Sequence, residues 1–261
     1  MSLKRYTYRI KPLSKLALSP RDHQGFHLAA GDFKEDQIQK VDGRDIKIIY
    51  PFYQYGSYES YQPDKADYYI PGSSIKGALV LGDQKNSAKL MVDDVRIDAK
   101  SLELTSLYKL QYMSKDSSIP VELGLFFPNV AVEMLQVERS FTGELFCEAD
   151  ISTYFQTAHK NNMRKLEQLR CKLGKVVNSI VVHQNSKQKV LNLIEQIKKI
   201  ETNRETQLGS YLLLLGGFKG LALSGLFDIT NFDKLDTAVY LDQSTNLPYG
   251  LVQITDLKEM V

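Results

Sequence analysis

At Asp150 the chain changes its hydrophobic period. Before it, short stretches such as "RYTYRI" and "DIKIIY" alternate apolar and polar residues, as a half-buried strand does. After it, "STYFQTAHKNNMRKLEQLRCKLGKVV" and "SKQKVLNLIEQIKKIETN" place Leu166, Leu169 and Leu173, then Val190, Leu193, Ile194 and Ile197, at helical spacing. Both stretches predict helices with basic outer faces. Strand patterns then return. Strands before and after one helical block, with a further helix start near Ile75, predict an α+β chain with an antiparallel sheet. No repeat of 20–50 residues is visible, which argues against a solenoid.

The strand patterns can be placed one by one. "RYTYRIKPLSKLALS" reads as a strand from Arg5, with Pro12 marking a bulge or an exposed edge. "PRDHQGFHLAAGDFKEDQ" reads as a loop, and "DIKIIYPFY" as a strand ended by Pro51. Two further strands are expected in "AKLMVDDVRID" and "LELTSLYKLQYM", with "SKDSSIP" as a polar loop. "NVAVEMLQVERSFTGELFCEA" reads as a hairpin turning near Arg139 and Ser140. "YLLLLGGFKG" reads as a helix end or a strand broken by Gly216, Gly217 and Gly220, and "LDTAVYLDQSTNLPYGLVQIT" as strand, polar turn and strand.

Composition sets the class. Of 261 residues, 43% are hydrophobic and 25% charged, enough for a sizeable core in one large domain or two small ones. With 33 basic and 31 acidic residues the net charge is +2, which neither requires nor excludes nucleic acid. Cys147 and Cys171 lie outside any metal-ligand spacing and are expected to be reduced, buried thiols. The first residues, "MSLKRYTYRIKPL", alternate and have no apolar core, so no signal peptide is expected, and no apolar run is long enough to span a bilayer. A soluble, cytoplasmic protein without membrane partners follows as the expectation.

One segment carries chemistry in its order. In "YYIPGSSIKGALV" the β-formers Tyr68, Tyr69 and Ile70 are stopped by Pro71, Gly72 permits a tight bend, and Ser73 or Ser74 is a good cap for a helix starting near Ile75. A strand-turn-helix of this kind points unpaired backbone N–H groups one way, and Lys76 adds a positive charge one turn in. Such a place suits an anion, with phosphate the leading candidate; the bland alternative is an ordinary helix start with a surface lysine.

"IPGSSIKGAL", followed by a β-rich middle and the late glycine-rich "GGFKGLALS", resembles the RAMP proteins of type III CRISPR–Cas systems, and among them the class of subunit that caps the crRNA 3′ end in the type III-A (Csm) complex. The similarity in order spans most of the chain. It implies a ferredoxin-like, RRM-related fold in an antiparallel sheet with helices: a core over residues 1–150 with a tyrosine-rich loop, a helical insertion over 151–204, and a return to the core over 205–261. It also implies a non-catalytic crRNA-binding subunit that docks on other Csm/RAMP subunits, with target RNA as a further partner. By that resemblance Gly72, Ser73, Ser74, Lys76 and Gly77 contact the guide backbone, as do Gly217, Lys219 and Gly220, with Lys76 and Lys219 flanking one groove. Arg21 and His23 join the RNA-contacting set. No cofactor or metal is expected.

Catalytic constellations are thin. His23 and His27 stand four apart beside Arg21 and Asp22, but Pro20 and Gly25 argue for a loop rather than a helix face. A RAMP-type ribonuclease using these histidines, or Asp22 or Asp32, is the competing reading. Asp93 and Asp94 are neighbours on a strand pattern and so point to opposite faces, which disfavours a shared metal ion. Seven tyrosines between Tyr50 and Tyr69 either stack on bases or pack their loop onto the protein.

Overall fold

The computed structural model describes residues 3–20, 25–38, 40–56, 58–80, 89–111, 122–148, 150–179, 184–203, 209–220, 223 and 239–260. Strands β1 (Lys4–Pro12), β2 (Phe26–His27), β3 (Ile48–Tyr50) and β4 (Tyr69–Ile70) lead to helix α1 (Gly72–Val80). The middle holds β5 (Leu90–Val92), β6 (Val95–Arg96), β7 (Leu102–Thr105), β8 (Tyr108–Gln111), β9 (Glu122–Leu125), β10 (Val130–Leu135) and β11 (Phe141–Cys147). Helices α2 (Ile151–Ser179) and α3 (Gln184–Asn203) follow, then β12 (Tyr211–Leu214), β13 (Val239–Asp242), β14 (Leu247–Pro248) and β15 (Leu251–Met260). The chain is mixed α and β, with largely antiparallel sheets.

The main sheet has the order β12-β15-β1-β11-β5, every pair antiparallel. Its centre is β1, because alternation gives that strand one fully apolar face: Tyr6, Tyr8 and Ile10 are buried while Arg5, Arg9 and Lys11 point the other way. Pro12 is therefore neither bulge nor edge; it ends a central strand, and the register shift lies between Thr7 and Arg9 against β15. Helices α1 and α2 pack together over the apolar face, where Ile75 and Leu79 meet Tyr8, Leu145, Ile151, Phe155 and Ile254. The predicted helical stripes face inward: Leu166, Leu169 and Leu173 of α2 pack on Val190, Leu193 and Ile197 of α3, with Val239 and Leu241 beneath and Ile194 partly buried at the margin. The Arg170–Glu201 ion pair joins the two helices, and Lys199–Glu195 lies on the exposed side of α3.

A second sheet, β2-β3-β10-β7, and a third, β14-β13-β8-β9, complete the framework with the small β4–β6 ribbon. Here the expected hairpin fails. Strands β10 and β11 belong to different sheets, because β10 is buried on both faces from Ala131 to Leu135 and pairs with β3 and β7 instead. "AKLMVDDVRID" likewise divides at Asp93 and Asp94 into β5 and β6, which join different sheets. "LELTSLYKLQYM" divides into β7 and β8. The loop expected after Pro20 contains the short β2. Of the two free thiols, Cys147 is buried, but Cys171 is exposed on α2, contrary to the expectation for both. The loop "SKDSSIP" lies outside the described residues, and among those residues no helix is long and apolar enough to cross a membrane.

Candidate nucleic-acid interface

The turn before α1 is built differently from the sequence pattern. The helix begins at Gly72, so Ser73 and Ser74 lie inside its first turn rather than capping it, and Pro71 offers its carbonyl to the Ser74 N–H at 2.9 Å. The Gly72 N–H donates to Asp94 Oδ1 at 2.8 Å. Glycine is required at that point: a Cβ there would lie 2.0 Å from the Val92 carbonyl oxygen. A carboxylate of the chain itself thus stands where an anion was expected, and the helix dipole favours it there. Ser73 and Gly77 are exposed, and Lys76 is half-buried.

Asp94 also gathers an aromatic group. Its Oδ2 accepts the Tyr55 hydroxyl at 3.0 Å. The Tyr55 ring stacks on Tyr69 with centroids 4.1 Å apart and planes 16° from parallel, and Arg96 sits over the Tyr55 ring at 5.8 Å. The short ribbon explains the grouping. Tyr69 is paired with Arg96 across β4 and β6, and their neighbours Ile70 and Val95 point into the core. Tyr53 closes the group at 5.8 Å from Tyr69. Tyr55 is 42% exposed, so part of this aromatic and guanidinium group is open to solvent. Partial burial, then the hydrogen bond and charge of Asp94, push the Tyr55 hydroxyl above its ordinary pKa, keeping it a neutral donor.

The other tyrosines divide between core and surface. Tyr61 and Tyr68 are buried and donate to Glu133 Oε1 at 3.0 and 2.8 Å, while the Phe52 N–H reaches Glu133 Oε2 at 2.9 Å. Burial pushes the Glu133 carboxyl up, and these three hydrogen bonds offset only part of it. The tyrosine-rich loop is therefore anchored to β10, and its free-facing members are Tyr50 and Tyr55.

The late glycine segment forms a separate feature. Gly216 has φ +83°, and a Cβ there would lie 2.3 Å from the Ala17 carbonyl oxygen. Lys219 folds back, its Nζ donating to the Leu214 carbonyl at 3.1 Å. Gly217 and Phe218, with Ser19, Pro20 and Tyr50, line a cleft of about 300 Å³. Strands β1, β5 and β12 run in the same direction, so Gly72 beside the end of β5 and Gly216 beyond β12 sit toward one end of the sheet, on its two outer strands. Gly220 has φ +77°.

Arg21, Asp22 and His23 lie outside the described residues. Among those described, no three His, Cys, Asp or Glu side chains gather as a metal site, and Asp94 is engaged in holding Gly72 and Tyr55. The Asp32 side chain takes the His27 backbone N–H at 2.7 Å, which fixes the turn. Sequence reasoning passed over Arg96 and Phe218; Arg96 carries no local signal, since its partner Tyr69 is reached only through the β4–β6 pairing. No protein-family model matches the chain, and no curated protein matches it.

Proposed function

We propose that this chain is a non-catalytic, single-stranded RNA-binding protein: a guide-RNA subunit of the RAMP type that docks on neighbouring RAMP subunits of a type III-A CRISPR effector. The carrying observation is the exposed Tyr55–Tyr69 stack with Arg96 over it, at the start of α1. Aromatic platforms take bases of any sequence because every base has a π-face, and a guanidinium beside the ring takes a phosphate. That combination suits a guide whose sequence varies.

The strand order supports a ferredoxin-like reading. Along β15-β1-β11-β5, α1 falls between β1 and β5, and α2 falls between β11 and β15, with both helices on one face. In chain order this is β-α-β-β-α-β, with β12 added outside β15. In this reading α2 belongs to the core, α3 is the added helix, and β15 returns beside β1.

Anisotropy titration of a labelled single-stranded RNA tests the reading. Tyr55→Ala should weaken binding about 10-fold. Arg96→Ala should lower the salt slope by about one phosphate contact. RNA should stay intact with or without divalent metal. Absence of binding, or affinity indifferent to both variants, would overturn the proposal.

A further inference from the structure

We infer that the cleft between Tyr50 and the late glycine loop is a slot for one extruded nucleobase. The inference rests on the RNA-binding reading and adds a second, separate point of contact. Three distant parts of the chain build the cleft: Ser19–Pro20 after β1, Tyr50 at the end of β3, and Gly217–Phe218 after β12. Its volume of about 300 Å³ is at the small end of ligand pockets, suited to a base and part of its sugar.

The lining selects the ligand. Two aromatic residues, a proline and a glycine line it with apolar surface, and Ser19 and Tyr50 bring hydroxyls to its lining. Among the described lining residues the surface is aromatic and apolar, which suits a planar heterocycle. Extruded bases are held in this way, by aromatic stacking and a few hydrogen bonds to their edges.

The walls are set in advance. Phe218 meets Tyr240 edge-on at 5.9 Å, and Tyr240 meets Phe126 at 5.2 Å, so one wall is braced from behind. The loop backbone is fixed where Gly216 presses on Ala17. Tyr50 is 37% exposed and forms the open side. Tyr50 also lies five residues before Tyr55 on one segment, a span of at most ~18 Å. A strand stacked on Tyr55 thus reaches the slot within a few nucleotides.

The test uses the full chain and the shortest single-stranded oligoribonucleotide that retains full affinity, with one abasic nucleotide walked along it. Two abasic positions should each weaken binding about 10-fold, one for the Tyr55 stack and one for the slot. Tyr50→Ala should weaken the intact oligonucleotide by a similar factor and erase the penalty at the slot position alone. Phe218→Leu, which keeps an apolar wall, should reduce that penalty without changing the melting temperature appreciably. If Tyr55→Ala weakens binding but no abasic position depends on Tyr50, the slot is refuted and the RNA-binding reading stands. A Tyr50→Ala variant that weakens every oligonucleotide equally also refutes the slot. If the wild-type chain binds no RNA, both fall.

Discussion

Replacing Glu133 by alanine should be among the most damaging single changes in this protein. Its carboxylate is 2% exposed and accepts from the Tyr61 and Tyr68 hydroxyls and the Phe52 N–H. A buried donor left without a partner costs about 1–3 kcal/mol. The hydroxyls can turn and water can enter the vacated space, so the three donors together give about 4 kcal/mol rather than the full sum. That is a large part of the roughly 5–15 kcal/mol that holds a domain folded. Glutamine should behave differently. Its carbonyl can keep the Phe52 N–H while its amide donates to the tyrosine oxygens, so the two hydroxyl protons lose their acceptor and must turn to water or another oxygen. Glu133→Gln should therefore cost about 1–2 kcal/mol, clearly less than alanine. Urea unfolding with an unchanged m-value measures both. Alanine within about 1 kcal/mol of wild type, or glutamine as costly as alanine, would refute the reasoning.

The same carboxyl gives a pH signature. Because burial raises its folded-state pKa, the native protein holds this proton more tightly than the unfolded chain does. The stabilisation from the proton is complete below the unfolded carboxyl range near pH 4.3 and is lost as pH rises through the folded value. The glutamine variant has no such group. Its stability relative to wild type should improve as pH rises through that window; a flat or opposite trend would mean that Glu133 does not titrate as its burial requires.

Two glycines of α1 should respond with opposite signs. Gly72→Ala drives a Cβ to 2.0 Å from the Val92 oxygen and should cost about 2–3 kcal/mol by overpacking. Gly77→Ala meets nothing within 4 Å and should gain about 0.5–1 kcal/mol; equal effects in denaturation would contradict the packing at β5. Asp94→Asn keeps a carbonyl acceptor for the Gly72 N–H, lets its amide donate to the Tyr55 oxygen, and removes the charge. It should leave the melting temperature nearly unchanged and raise RNA affinity severalfold, and a loss as large as that of Tyr55→Ala would show that the charge itself is needed. Lys76→Glu should weaken RNA binding severalfold with the fold intact; an unchanged affinity and salt slope would remove Lys76 from the interface.

The parts of the fold legible in the sequence are those decided by local period. The α2 and α3 stripes, the alternation of β1 and the strand-turn-strand ending in β15 depend on residues within one element. What stayed hidden depends on distant partners. "VAVEML" looks like one arm of a hairpin, yet β10 is covered on both faces, and its acid at Glu133 is satisfied by tyrosines 65 and 72 residues earlier. The same holds for the site. A lysine and glycines at a helix start are visible locally, but the stacked tyrosines with Arg96 exist only because β4 pairs with β6.

Asp94 shows why the helix start and the aromatic group belong to one device. A bare helix N-terminus attracts any anion, but here the Gly72 N–H is already taken by the carboxylate that orients Tyr55. A phosphate moved to that position would meet the Asp94 charge, so an RNA strand bound as proposed would present its backbone toward Arg96 and Lys76 and its bases toward Tyr55. On the proposed RNA-binding reading, recognition would depend more on stacking than on counterion release. The salt slope of RNA binding should be shallow for a protein with 33 basic residues, on the order of one or two phosphate contacts from this surface. Stacking, by contrast, holds its strength as salt rises, which makes Tyr55 rather than Lys76 the side chain on which affinity at high ionic strength depends.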